Sequence, residues 1–156
     1  MRVMQREGFG TVTNDPLDTG GRTQWGVSER SNPQAWADGA VTEAEARKIF
    51  LKKYVVFPRF NRLPASYENL RDQLIDYGFN SGPNLAIQKL QEILNEKADG
   101  IIGPKTLLAI RRHDPITLNN KLVAARIRMI GRIVQKAPSQ SRFINGWLDR
   151  ALSFLA

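Results

Sequence analysis

The chain has 156 residues, no cysteine, one histidine and a net charge of +8. That length allows one domain or two small lobes sharing a core, and the missing cysteines exclude disulfides and thiolate metal sites. No apolar run approaches the roughly 18 residues of a membrane span, and the N-terminus lacks a signal-peptide core.

In chain order, Met1–Arg6 reads as the last turns of a helix ending at Gly8. From Glu7 to Val27 the chain holds three carboxylates, five glycines and a proline. Each glycine inside a helix costs about 1 kcal/mol against alanine, so this stretch is expected to form a shaped loop or short hairpin. Ser28–Asp38, with Pro33 and Trp36, predicts a turn or a one-turn helix. Thr42-Glu43-Ala44-Glu45 is a capping-box sequence. The helix it opens carries Ala46, Ile49, Phe50 and Phe57 at helical spacing, and Pro58 and Pro64 bracket a break. A helix over Ser66–Phe79 places Leu70, Leu74 and Tyr77 on one stripe.

Asn80-Ser81-Gly82-Pro83 predicts a turn, with Pro83 opening the next helix. That helix would bury Ile87, Leu90 and Leu94. Pro104, after the turn from Ala98, and Pro115, after Asp114, suit two further helix starts. The last of these, near Thr117–Gln135, presents Leu118, Leu122, Val123, Ile127, Ile130, Ile133 and Val134. Its Arg126, Arg128 and Arg132 are expected outside or snorkelling. Ala137-Pro138-Ser139 breaks it, and Arg142–Leu155 is amphipathic, with Phe143, Trp147, Leu148, Leu152 and Leu155. With no long alternating stretch, the expected class is mainly α with a small N-terminal hairpin.

Charge is unevenly spread. Residues 1–78 carry 11 basic and 10 acidic side chains, and residues 79–156 carry 12 and 5. A basic second half suits a polyanionic partner such as nucleic acid, an acidic wall or a lipid surface. No recognition-helix or zinc-finger pattern accompanies the arginines of residues 111–132, so nucleic acid is not expected. His113 reads as a surface residue near a helix end. A lone histidine without cysteine offers neither a metal cluster nor a triad, so neither metal nor cofactor is expected.

Glu7-Gly8, Asn14-Asp15-Pro16, Asp18, Gly20-Gly21, Thr23 and Gly26-Val27 carry a resemblance. The stretch is similar to the signature of the family-108 glycoside hydrolases, the phage and prophage N-acetylmuramidases. Phe9-Gly10 departs from the family's Gly-Tyr, Val27 from its Ile, and only six residues precede Glu7. Further on, Asn80-Ser81-Gly82-Pro83, Ala86, Leu90-Gln91, Asp99-Gly100, Gly103-Pro104 and Thr106-Leu107 resemble the peptidoglycan-binding segment that follows this signature.

The resemblance implies a lysozyme-like helical fold and hydrolysis of the β-1,4 bond between N-acetylmuramic acid and N-acetylglucosamine. It gives Glu7 the role of proton donor. A Glu packed under a folded loop beside Phe9 would be partly desolvated, which raises its pKa towards the useful range. Read alone, Glu7 could equally be a surface carboxylate paired with Arg2 or Arg6. Asp18 and Asp15 compete for the second carboxylate, Asp15 having a turn-forming job before Pro16. Thr23 could hold the attacking water or close the hairpin.

Trp25, Tyr54, Tyr77 and Asn80 could line a sugar cleft, or the aromatics could be ordinary core. A muramidase lobe is expected over 1–79 and a basic peptidoglycan-binding lobe over 80–156, packed as one unit in a monomer. The expected partners are glycan strands and an anionic wall or membrane surface. The expected route is that of an endolysin, made in a host cytoplasm without a cleavable signal and acting on the wall. A lytic transglycosylase, a chitinase or chitosanase, and a non-catalytic wall-binding module remain the alternatives.

Overall fold

Thr23–Gln24 (β1) and Val27–Ser28 (β2) pair antiparallel, Thr23 opposite Ser28 and Gln24 opposite Val27. Trp25 and Gly26 form the two-residue loop between them, with φ of 54° and 73°. Positive φ at both loop positions is the type I′ pattern, whose twist matches that of the strands. The computed structural model describes residues 11–14 and 21–156. The expected helix over Met1–Arg6, together with Glu7, Asp15 and Asp18, lies outside the described residues.

Contacts divide the chain into two compact units, Met1–Phe57 and Pro58–Ala156. Residues 79 and 80 lie within a helix, Glu68–Ser81.

In the first unit, Thr13 bridges to Thr23 through two backbone hydrogen bonds of 2.9 and 2.8 Å. The core here is Val27, Trp36, Val41 and Ala46, with Trp25, Ala35 and Ile49 packed partly buried against it. Trp36 ends a one-turn 3-10 helix, Pro33–Trp36. Helix α1, Glu43–Leu51, opens on the expected capping box: the Thr42 hydroxyl accepts from Glu45 N and the Glu45 carboxylate accepts from Thr42 N.

Past Leu51 the helix changes register. Lys52–Val56 is a π-helical turn, closed by a bond of 3.0 Å from Phe57 N to Lys52 O. The extra residue per turn swings Phe57 off the apolar stripe, so it is 69% exposed and not packed beside Ala46 and Phe50 as the spacing suggested.

The second unit is helical. It contains α2 (Glu68–Ser81), α3 (Pro83–Ile93), α4 (Pro104–Arg111), α5 (Pro115–Lys136) and α6 (Ile144–Leu152). Pro83, Pro104 and Pro115 each open a helix, where a missing N–H costs nothing. Helix α2 packs on both α3 and α5, and α5 also on α6. Leu70, Leu74, Tyr77, Ile87, Leu90, Leu118 and Leu122 fill the space between them. Helix α5, at 22 residues, runs about 33 Å.

One side chain organises the turn between α3 and α4. Gln91 is buried, and its amide donates to Asp99 Oδ1 at 2.9 Å and Ile101 O at 3.0 Å. Its carbonyl accepts from Gly100 N at 2.9 Å. Gly100 sits at φ 75°, a conformation that favours glycine. Replacing Gln91 with alanine strands these partners, and leaving a buried polar group unsatisfied costs about 1–3 kcal/mol. The expected result is a lower melting temperature in calorimetry with the circular dichroism spectrum of the native helices retained below it. An unchanged melting curve would mean that the turn holds without Gln91.

Arg126 does not follow the expectation of an outward arginine. Its side chain is 6% exposed, and its Nη2 donates to the fully buried Asp76 at 2.8 Å. The reason is tertiary: Asp76 sits on the buried side of α2 and needs a cation. Arg128 and Arg132 are exposed as expected. Ile133, Phe143, Leu152 and Leu155 also remain exposed.

Candidate functional site

The chemistry-bearing residues fall into groups, one in each unit. In the first, the hairpin fixes Thr23 and Trp25. The Thr23 hydroxyl donates to Gly21 O over a long 3.4 Å. Its backbone joins both the Thr13 bridge and the β1–β2 pair. Trp25, at the loop tip, is held at a φ that few large side chains adopt. Arg22 braces the hairpin: it bonds Glu29 at 2.6 and 2.8 Å and lies 4.9 Å over the Trp36 ring. The Arg22 guanidinium holds the Glu29 carboxyl below its ordinary range.

Also in this unit, a groove of about 760 Å³ is lined by Asn32, Gln34, Glu45, Lys48, Lys52 and Phe57, among others. Lys52 lies 5.4 Å over the exposed Phe57 ring. Tyr54 belongs to the π-helical turn. Its ring is 5.3 Å from that of Phe50, and Lys53 lies 5.3 Å over it. Tyr54 is thus half-buried beside the core and outside the lining of the groove.

The second unit brings Tyr77 and Asn80 together at one cavity of about 190 Å³. Tyr77 is fully buried, and its hydroxyl donates to Met129 Sδ at 3.0 Å. It therefore forms the cavity's inner wall and offers no exposed face for a sugar. Burial pushes its hydroxyl pKa above the ordinary value, with Arg126 opposing and Glu92 adding to the shift. Asn80 is exposed, and its amide donates to Asp76 O at 2.7 Å. Arg126, Arg150 and Trp147 line the same cavity.

The sequence reading did not place Arg150 at any site. The one signal for Arg126 was its position on the row Leu118, Leu122, Arg126, Ile130, each four residues from the last. His113 is half-buried just past α4, with its Nδ1 2.9 Å from Ala109 O. Among the described residues no three His, Asp or Glu side chains gather as metal ligands. Among them, too, no helix is long and apolar enough to cross a membrane.

Comparison with known proteins adds identity to this geometry. The Glycosyl hydrolase 108 family model matches residues 1–82, more than half of the chain. The Predicted Peptidoglycan domain model matches residues 85–152. Among solved structures, the chain is similar to Brucella abortus SagA, with 27% identity and a TM-score of 0.71. The similarity covers 98% of this chain and 87% of that one. Among curated proteins nothing matches.

Proposed function

The chain belongs to the glycosyl hydrolase 108 family and is a peptidoglycan-hydrolysing enzyme, and from that premise we propose that it is an N-acetylmuramidase. It cleaves the β-1,4 bond between N-acetylmuramic acid and N-acetylglucosamine, with Glu7 as the proton donor to the leaving oxygen. The observation that carries this reading is that Glu7-Gly8, Asn14-Asp15-Pro16, Asp18, Gly20-Gly21 and Thr23 all lie within the matched residues 1–82.

The chemistry asks for a donor acid and, opposite it, a group that activates water. Asp18 takes the second role in this proposal, with Asp15 the alternative, and the Thr23 hydroxyl holds the water. Two carboxyls about 6.5–9.5 Å apart leave room for that water. Trp25, Tyr54 and Asn80 are assigned to substrate contact, and Tyr77 to the inner wall of the cavity that Asn80 also lines. The biological role proposed is that of an endolysin acting as a monomer on the wall, reached from a host cytoplasm. The exposed Arg128 and Arg132 would add attraction to anionic wall polymers, screened over about 8 Å at physiological salt.

The product tests the reading. Hydrolysis leaves a free, borohydride-reducible muramic acid end. A lytic transglycosylase instead closes the muramic acid's own hydroxyl into a 1,6-anhydro ring, lighter by one water. Mass spectrometry of fragments from purified sacculi is expected to show mostly the reducible muramic acid end. Mostly anhydro fragments would make the enzyme a transglycosylase. New reducing ends on N-acetylglucosamine would make it a glucosaminidase. No release of fragments at all would leave a wall-binding module.

A further inference from the structure

The groove of the first unit owes one wall to the break in helix geometry after Leu51. An α-helical continuation would turn Phe57 towards Ala46 and Phe50. The π-helical turn Lys52–Val56 turns it out instead, onto the groove. Such turns recur at functional sites. Lys48, Lys52 and Lys53 line the same groove, and all three are exposed. Among the described residues none of them pairs with a carboxylate. Lys48 and Lys52 are four residues apart and so share a helix face. The groove also carries one acid, Glu45. Its Oε2 accepts from Thr42 N at 2.9 Å and from the Thr42 hydroxyl at 2.6 Å, while its Oε1 has no hydrogen-bond partner among the described residues.

Size and lining narrow the ligand. A volume of about 760 Å³ falls within the roughly 300–1,000 Å³ of small-ligand sites, which suits a molecule rather than a membrane surface or a folded partner. Three exposed ammoniums call for several anionic groups along one ligand, and Glu45 calls for a cationic one. The Phe57 ring and Ile49 suit methyl and methylene groups, and the side-chain amides of Asn32 and Gln34 suit peptide bonds. An acidic peptide with one amine meets all four demands. The peptidoglycan glycan does not, because its muramic acid carboxyl is spent in the amide link to the peptide stem. The stem does: L-Ala–γ-D-Glu–meso-diaminopimelate–D-Ala carries three carboxylates and, once joined to muramic acid, one ammonium.

We propose that this groove binds the acidic peptide stem of peptidoglycan, with Lys48, Lys52 and Lys53 meeting its carboxylates and Glu45 its ammonium. The proposal rests on the peptidoglycan reading above and adds to it a site for the peptide rather than the glycan. In this arrangement the methylenes of diaminopimelate lie along Phe57. The anchoring groups are all solvent-accessible, so the stem enters without any rearrangement of the core.

A magnetic-resonance titration of the full nitrogen-labelled chain tests this. The probe is that tetrapeptide acetylated on its L-Ala nitrogen, against the same peptide with its three carboxylates amidated. The acid is expected to bind at least tenfold tighter and to shift the amide signals of Lys48, Lys52 and Phe57. Lys48→Gln with Lys52→Gln is expected to weaken the acid at least fivefold, and Lys48→Arg with Lys52→Arg, which keeps the charges, less than twofold. Lys105→Gln with Lys121→Gln removes the same charge from exposed positions of the second unit and is expected to weaken it less than twofold. All these positions are on the surface, so the fold survives each change.

Equal binding of acid and amide, or equal loss in the groove and second-unit glutamine variants, would overturn the proposal. So would shifts confined to the second unit. Release of muropeptides from sacculi by a protein that ignores the tetrapeptide would remove the stem site and leave the hydrolase intact. Tetrapeptide binding at the groove without any release of fragments would keep the stem site and overturn the hydrolase.

Discussion

Glu7→Gln abolishes lysis to within about one part in 100 of the parent rate, the usual span for loss of a general acid. Glutamine keeps the size and the hydrogen-bonding reach of the side chain but carries no transferable proton. The loss therefore falls on the bond-breaking step, so that kcat drops while sacculus binding persists. Turbidity of permeabilised Gram-negative cells gives the rate, pelleting with purified sacculi gives binding, and circular dichroism reports the fold. The same substitution also stops a transglycosylase, since both chemistries protonate the leaving oxygen. The rate therefore identifies the acid and the product identifies the reaction. A folded Glu7→Gln protein that lyses at near the parent rate would move the proton donor to Asp15 or Asp18, and parallel Asp15→Asn and Asp18→Asn measurements would show which.

Four of the helices were legible because they are punctuated locally. Thr42 and Glu45 announce α1, and Pro83, Pro104 and Pro115 announce α3, α4 and α5. The hairpin was legible as a glycine-rich interruption, although its loop residues Trp25-Gly26 lack the usual Asn-Gly signal for two positive φ angles. The π-helical turn was not legible, since a one-residue change of register leaves no mark on apolar spacing, and Phe57 was misassigned with it. Arg126 was misassigned for another reason: its partner Asp76 lies 50 residues away, and Arg150 lies 74 from Asp76. Helical periodicity sees neither separation. The proposed catalytic group is a third case. Glu7, Asp15 and Asp18 stood out through the order of their neighbours, while their charges alone equally described a solvated surface. The cavity beside Tyr77 and Asn80 needed the folded helices, because its wall residues come from three of them.

Asp76→Asn lowers the stability of the second unit by about 3–5 kcal/mol, the range for breaking one partner out of a buried ion pair. The substituted amide would keep an acceptor for one arginine, but its NH₂ end turns a donor towards the other. Arg126, with only 6% of its side chain exposed, would be left as a buried charge without a counterion. The Tyr77 and Phe154 rings beside it contribute on the order of 2 kcal/mol as cation–π partners, less than the loss of the counterion. At about 2–4 °C per kcal/mol for a chain of this size, the melting temperature falls by roughly 10 °C. The effect should persist in high salt, because buried pairs are screened little. Arg71→Ala, which removes the exposed partner of Glu68, is expected to cost at most about 1 kcal/mol. The double change Asp76→Leu with Arg126→Met removes both charges and restores apolar packing, so it should recover most of the lost stability. Melting of Asp76→Asn within a degree or two of the parent would show that Arg126 finds compensation elsewhere.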